Sequence, residues 1–257
     1  MARQAPLRDV APTVQRLRLR YAKRGRLRFT STRDFQRALE RALRRAGVPM
    51  AYSQGFNPHP RISYTNAAPT GTASEAEYVE LAVTSVLDPE AVRAALDAAL
   101  PPGLDVLEVV EVRAPDFAER LEASVWVIEL PGVGREVAEV AVATLLACEM
   151  VEVSRLTKSG MRAFDARGPV LRLEVREDAR LGKDAAGAPC AILDLVVRHV
   201  TPSVRPDDVL AALRLVADLV PPIPARVTRL AQGPLVADVG AGTAMDAVTD
   251  PLAADRV

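Results

Sequence analysis

Between Arg16 and Phe29 charged and apolar residues alternate almost one by one. Arg16, Arg18 and Arg20 interleave with Leu17, Leu19 and Tyr21. Arg26 and Arg28 interleave with Leu27 and Phe29, after a turn-like Lys23-Arg24-Gly25. Successive side chains of a strand point to opposite faces, so a period of two predicts a half-buried strand. Residues 14–30 therefore read as a β-hairpin with five arginines on one face and five apolar residues on the other.

The period then changes. Residues 33–46 predict a helix, with Ser31 or Thr32 as its cap and Gly47 as its stop. Phe35, Leu39, Ala42, Leu43 and Ala46 form its buried stripe. Arg33, Arg37, Arg41 and Arg44 recur at spacings of three and four on another face. A turn-rich stretch covers 50–64, followed by a strand over 77–84. Asp88-Pro89-Glu90 opens a second helix, with Val92, Ala95, Leu96 and Ala99 inward, and Pro101-Pro102-Gly103 stops it before a strand over 107–112. This order reads as a ferredoxin-like split βαβ domain.

The second half repeats the scheme. Strands are expected over 124–130, 151–156, 170–175, 192–197 and 226–230. Helices are expected over 135–148, with Val137, Val140, Ala141 and Leu145 inward, and over 206–219. Residues 89–96 (Pro-Glu-Ala-Val-Arg-Ala-Ala-Leu) resemble residues 206–213 (Pro-Asp-Asp-Val-Leu-Ala-Ala-Leu), which supports duplication. The predicted fold class is α+β, with two tandem ferredoxin-like (split βαβ) domains over 14–113 and 120–235. Residues 114–120 are the expected linker, 178–188 an exposed loop, and 236–257 a disordered tail.

The charge distribution bears on partners. The 257 residues carry 33 basic and 33 acidic side chains, a net charge of zero. Residues 1–65 nevertheless hold 15 basic residues against Asp9, Asp34 and Glu40, a net +12, and the remainder carries −12. Such segregation points to an anionic partner for the front of the chain, most naturally nucleic acid. Lysine occurs only at 23, 158 and 183, and arginine suits bidentate phosphate contact and stacking on bases. A high-GC genome accounts for arginine over lysine but not for the segregation. No run of about 18 apolar residues exists to span a membrane, and residues 1–10 lack the apolar region of a signal peptide. Only Cys148 and Cys190 occur, far apart, which excludes a disulfide scaffold. A cytoplasmic location and no membrane partner are expected.

Several stretches together resemble a known family. They are the opening Arg-Leu-Arg-Leu-Arg-Tyr-Ala-Lys-Arg-Gly-Arg-Leu-Arg-Phe from Arg16, Arg44-Arg45-Ala46-Gly47-Val48-Pro49, and Tyr52-Ser53-Gln54-Gly55-Phe56-Asn57-Pro58-His59-Pro60. Gly71, Glu77-Tyr78-Val79 and a weaker match from Lys158 to Arg167 add to them. The chain resembles the radical-SAM-linked proteins of unknown function, found alone or fused behind cobalamin-binding radical SAM enzymes. The resemblance spans roughly residues 14–230 and is dense at the front. It implies a standalone accessory protein with a radical SAM protein as partner, and it supplies no activity. The fused forms carry a cysteine triad in their other domain; two isolated cysteines cannot hold that cluster, so no cofactor is expected.

The candidate nucleic-acid-binding residues are Arg16, Arg18, Arg20, Lys23, Arg24, Arg26, Arg28, Arg33, Arg37, Arg41, Arg44, Asn57, His59 and Arg61. In a ferredoxin-like sheet with helices on one face, the arginine face of the hairpin would be the open face. There phosphates bind arginine and bases stack on aromatics. Tyr21, Phe56 and Tyr64 are available for stacking, and each has a competing role in packing. The loop from Gln54 to Pro60 presents Asn57 and His59 on a backbone that Gly55 bends and prolines stiffen. The same loop also fits a purely structural turn. Glu77 is expected to neutralise an arginine of the first domain, and the 158–167 loop with Asp165 to form a smaller second contact surface. His199 follows an apolar strand and reads as structural. No metal-ligand spacing, phosphate-binding loop or nucleophile motif is present.

The expected function is RNA binding as an accessory or substrate-presenting protein, without chemistry of its own. An enzymatic alternative is a metal-independent endoribonuclease resembling CRISPR repeat-processing enzymes, which share a tandem ferredoxin-like plan, with His59 as the candidate catalytic base. A third possibility is a protein–protein adaptor. The RNA species, the oligomeric state and the domain arrangement are not encoded in any motif found.

Overall fold

A computed structural model describes residues 11–54, 56–157, 160–177 and 187–256. Gly55, the Lys158-Ser159 pair and most of the expected 178–188 loop lie outside the described residues. The protein is a mixed α and β structure in which the strands pair antiparallel. The chain divides into two compact units. One runs to Ala118 and takes back the chain from Leu252 onward, and the other is Glu119–Pro251. No described helix is long and apolar enough to cross a membrane.

The first unit is built on β1 (Gln15–Lys23), α1 (Thr32–Arg45), β2 (Ile62–Thr65), β3 (Ala73–Val83), α2 (Pro89–Ala99) and β4 (Val106–Glu111). Its strand order is β4-β1-β3-β2. The alternation in β1 does what a period of two requires. Leu17, Leu19 and Tyr21 are buried with Phe35, Leu39 and Leu43 of α1, Val92 and Leu96 of α2, and Val79 and Leu81 of β3. Arg16, Arg18 and Arg20 take the other face. Tyr21 stacks on Phe35 with ring centroids 4.1 Å apart.

The predicted hairpin does not form. Residues Gly25–Phe29 make a 3₁₀ turn, entered through Gly25 at φ +53. Both edges of β1 are taken by distant strands, Leu19 lying opposite Val79 on one side and Val109 on the other. Two repeats of alternation over Arg26–Phe29 cannot outweigh that pairing, and Phe29 is left 59% exposed. The five arginines therefore do not share one face.

The helix ends follow their signals. Ser31 Oγ accepts the Asp34 N–H at 3.2 Å. At the far end Val48 N–H bonds to Leu43 O at 3.0 Å and Gly47 N–H to Arg44 O at 3.3 Å. That pair of bonds requires the left-handed φ of +65 that Gly47 adopts. Asp88 caps α2 ahead of Pro89.

A short α3 (Phe117–Arg120) carries the chain from the first unit into the second. The second unit continues through β5 (Ala123–Pro131), α4 (Arg135–Ala147), β6 (Glu152–Thr157), β7 (Gly160–Asp165), β8 (Val170–Val175), β9 (Cys190–Arg198), α5 (Pro206–Ala217) and β10 (Arg226–Gly233). The order here is β10-β5-β9-β8, with β6 and β7 as a separate two-stranded ribbon. α4 is rotated from its expected phase: Ala138, Ala141, Val142 and Leu145 are buried, and Val137 and Val140 are 59% and 67% exposed. Both stripes fit a helical period. Packing chooses the one with two alanines, which let the helix approach its neighbours closely.

The expected linker 114–120 contains Phe117, which is buried and packs edge-on against Tyr78 with centroids 5.1 Å apart. The expected disordered tail is ordered over 236–256. Leu235 bridges Val248, Thr249 N–H bonds to Pro234 O at 2.9 Å, and Ala244 and Ala247 are buried with Ala123, Val125 and Val196. Its composition lacks periodicity because it packs through short irregular turns and small side chains, not through a regular element.

Candidate nucleic-acid interface

The predicted basic residues fall into three environments. The first is internal. Arg18 is 2% exposed, and its guanidinium lies 4.2 Å above the Phe117 ring. Its two amino groups bind Asp255 and, at 3.0 Å, Glu80. Lys23 is buried and donates to the carbonyls of Ala68 and Pro69 at 3.4 and 3.2 Å. Arg18 and Lys23 are thus corrected from RNA contacts to parts of the interior. Arg20 pairs with Glu108 at 3.5 Å, and Arg24 binds Glu75 and, at 2.8 Å, Asp105. Charge segregated along the sequence is partly neutralised in space, because β3 and β4 bring acids beside β1.

The second environment is the outer face of α1. Arg33, Arg37, Arg41 and Arg44 are exposed and within one stripe, as a helical repeat of 3.6 dictates. None of the four has an ion-pair partner among the described residues. The two acids of this helix are occupied differently: Asp34 accepts from the Ser31 hydroxyl at 2.7 Å, and Glu40 is half-buried. Arg26 is exposed on the preceding 3₁₀ turn, and Arg28 lies 4.6 Å over the Phe29 ring.

The third environment is the loop after α1. Ala51 N–H bonds to Ala82 O and Arg61 N–H to Ala51 O, both at 2.8 Å, which anchors the loop to β3. Within it Ser53 N–H bonds to His59 O at 2.8 Å, and Ser53 Oγ accepts the His59 N–H at 3.0 Å. This closes the loop base and leaves Asn57, His59 and Arg61 exposed. Tyr52 and Phe56 are also exposed, at 42% and 52%. Phe56 thus does not plug the loop. Tyr21 belongs to the core, and half-buried Tyr64 packs edge-on against Phe35 at 6.2 Å. Burial pushes the Tyr64 phenol upward, and Glu40 adds to it, so it stays protonated.

The loop borders a cavity of about 290 Å³ that reaches Arg16 and Glu80, on the sheet face opposite α1 and α2. Arg16, Ser53, His59, Arg61, Ser63 and Glu80 contribute its polar lining. Arg16 is 3.7 Å from Glu80. Arg61 also donates to Thr13 Oγ1 at 3.2 Å. A second cavity, lined by Thr13, Tyr52, Gln54 and others, shares Ser53 and Arg61 with the first. His59 shares this cavity lining with the Glu80 carboxylate.

Glu80 makes the ion pairs to Arg16 and Arg18, and Glu77 is buried and accepts the Ala68 N–H at 3.0 Å. Asp165 accepts the N–H groups of Val151, Arg167 and Gly168 at 3.0, 2.8 and 2.9 Å. These bonds turn the chain after β7; Met161 and Arg162 of the same segment are exposed. His199 sits between Ser124 Oγ at 2.7 Å and Leu121 O at 2.6 Å. Sequence reasoning missed Glu80, Glu108 and Asp255 as partners of the arginine face, and Tyr52 as an exposed aromatic. The alternation of β3 around Glu80 was the only available signal.

The chain matches, over residues 16–206, a protein family described as uncharacterized protein conserved in bacteria (DUF2344). No curated protein matches it.

Proposed function

The chain belongs to the DUF2344 family of uncharacterized bacterial proteins, and we propose that it is a cytoplasmic RNA-binding protein that presents substrate to, or assists, a radical SAM enzyme without chemistry of its own. One observation carries the RNA reading. Four exposed arginines on α1 lack ion-pair partners among the described residues, and the loop that follows α1 carries Tyr52, Phe56, His59 and Arg61, all exposed. Arginine for phosphates and aromatics for unstacked bases is the combination that single-stranded RNA requires.

The radical SAM link rests on the sequence resemblance, above all on residues 52–60. We also read each unit as a ferredoxin-like split βαβ domain, the second with a ribbon inserted between its first helix and second strand. The strand orders β4-β1-β3-β2 and β10-β5-β9-β8, each with two helices between strands, support that reading.

Filter binding of labelled single-stranded RNA to the full chain across a salt series tests the function. Affinity is expected to fall linearly on a log–log plot, because each neutralised phosphate releases counterions. Salt-insensitive retention overturns the RNA reading. Co-purification of a radical SAM protein with the tagged chain, before and after nuclease treatment, tests the partnership; recovery of none overturns it.

A further inference from the structure

The cavity beside the loop has an uneven chemistry that narrows the ligand. Arg61 and Arg16 are exposed donors without an acceptor role, so they favour an anion. Glu80 shares the same sheet face and accepts only. Its register places it opposite Arg18 on one side and Ser63 on the other. The carboxylate is a quarter exposed even while it serves Arg16 and Arg18. Arg16, 3.7 Å away, offsets the repulsion between that carboxylate and a bound anion. A ligand that satisfies this lining carries a phosphate and hydroxyl donors a few ångströms apart. The cavity of about 290 Å³ has room for one nucleotide. Tyr52 is exposed in the adjoining cavity, where the next base can stack.

We propose that this groove is a ribonucleotide subsite in which Arg61 and Arg16 hold a phosphate and Glu80 accepts a hydrogen bond from the ribose 2′-hydroxyl, so that the protein distinguishes RNA from DNA. The inference rests on the RNA reading above and adds the sugar as the feature recognised. Glu80 Oε2 accepts from Arg18 at 3.0 Å, while Oε1 lies 3.7 Å from Arg16 and can take a further donor; a site built around a hydroxyl rejects the analogue lacking it.

The test uses the full chain and three fluorescein-labelled single strands of one sequence: RNA, DNA and 2′-O-methyl RNA. Anisotropy titrations should show RNA bound about tenfold more tightly than DNA, with 2′-O-methyl RNA close to DNA because the methyl group removes the donor. Glu80→Ala, which removes the acceptor, should bring the RNA preference towards unity, and Arg61→Ala should weaken RNA and DNA alike. Because Glu80 also supports buried Arg18, the 2′-O-methyl comparison on the unaltered protein stands independently of how that variant folds. Equal affinity for RNA and DNA, or for RNA and 2′-O-methyl RNA, overturns the subsite while leaving RNA binding intact. Absence of salt-dependent RNA binding overturns both.

Discussion

Arg18 and Asp255, 237 residues apart in sequence, form an ion pair in which both side chains are almost fully removed from solvent. The pair lies on the face of the first unit's sheet opposite α1 and α2, beside the Phe117 ring. Asp255 also accepts the N–H groups of Arg113 and Ala114 at 3.0 and 2.9 Å, and Arg256 reaches Glu108, the partner of Arg20. Asp255→Ala removes one of the two carboxylates that neutralise buried Arg18 and leaves Glu80 as the other, at a cost of about 1.5–3 kcal/mol. Urea unfolding at neutral pH should show that loss, and an unchanged midpoint would mean that the pair is replaceable by water.

The same carboxylate predicts acid sensitivity. Burial pushes Asp255 upward, but the N–H groups of Ala114 and Arg113 and the Arg18 guanidinium outweigh it and hold the carboxyl below its ordinary value of 3.8. A folded-state value below the unfolded one adds stability above the unfolded value, and that stability is lost as pH falls through the folded value. The difference in unfolding free energy between the wild type and Asp255→Ala should therefore shrink below about pH 4, measured by urea titration at several pH values.

His199 acts at milder pH. Burial lowers its value from 6.5, further aided by Arg229 and opposed by the Leu121 carbonyl. The unfolded chain then binds the proton first, so stability present above about pH 6.5 declines on acidification until the folded value is passed. His199→Gln should flatten the pH dependence of the urea midpoint between pH 7 and 5.

The exposed stripe on α1 should behave oppositely to Arg18. Arg37→Ala and Arg41→Ala remove charges with no ion-pair partner among the described residues, so each should shift stability by less than about 0.5 kcal/mol. If these arginines touch phosphates, each variant lowers the slope of log affinity against log salt by about 1. An unchanged slope would move the phosphate contacts elsewhere.

Gly233 reports on the segment that follows it. A Cβ there would run into the carbonyl oxygen of Thr249, and Pro251 lies within 3.2 Å. Gly233→Ala should destabilise the protein by about 1–3 kcal/mol, read as a lowered Tm. Tolerance of alanine would mean that residues 249–251 do not pack as described.

Much of the local structure was legible from particular residues. Leu17, Leu19 and Tyr21 identified the buried face of β1, Ser31 and Gly47 marked the ends of α1, and Asp88-Pro89 the start of α2. The Val137 and Val140 stripe misled because two helical phases of α4 were equally apolar, and only the neighbouring elements distinguish them. In the candidate site, the exposure of Arg33, Arg37, Arg41, Arg44, Asn57, His59 and Arg61 followed from helical spacing and from turn chemistry.

What the sequence by itself determined is which side of each element prefers water, because transfer free energy is a property of the residue and its period along the chain. Tertiary structure alone decided which arginines keep that exposure. Arg18 and Arg33 look equivalent in sequence, yet β3, Phe117 and the segment around Asp255 converge on one and not on the other. Burial of a charge depends on partners that chain closure brings from far away, and no local pattern encodes that distance.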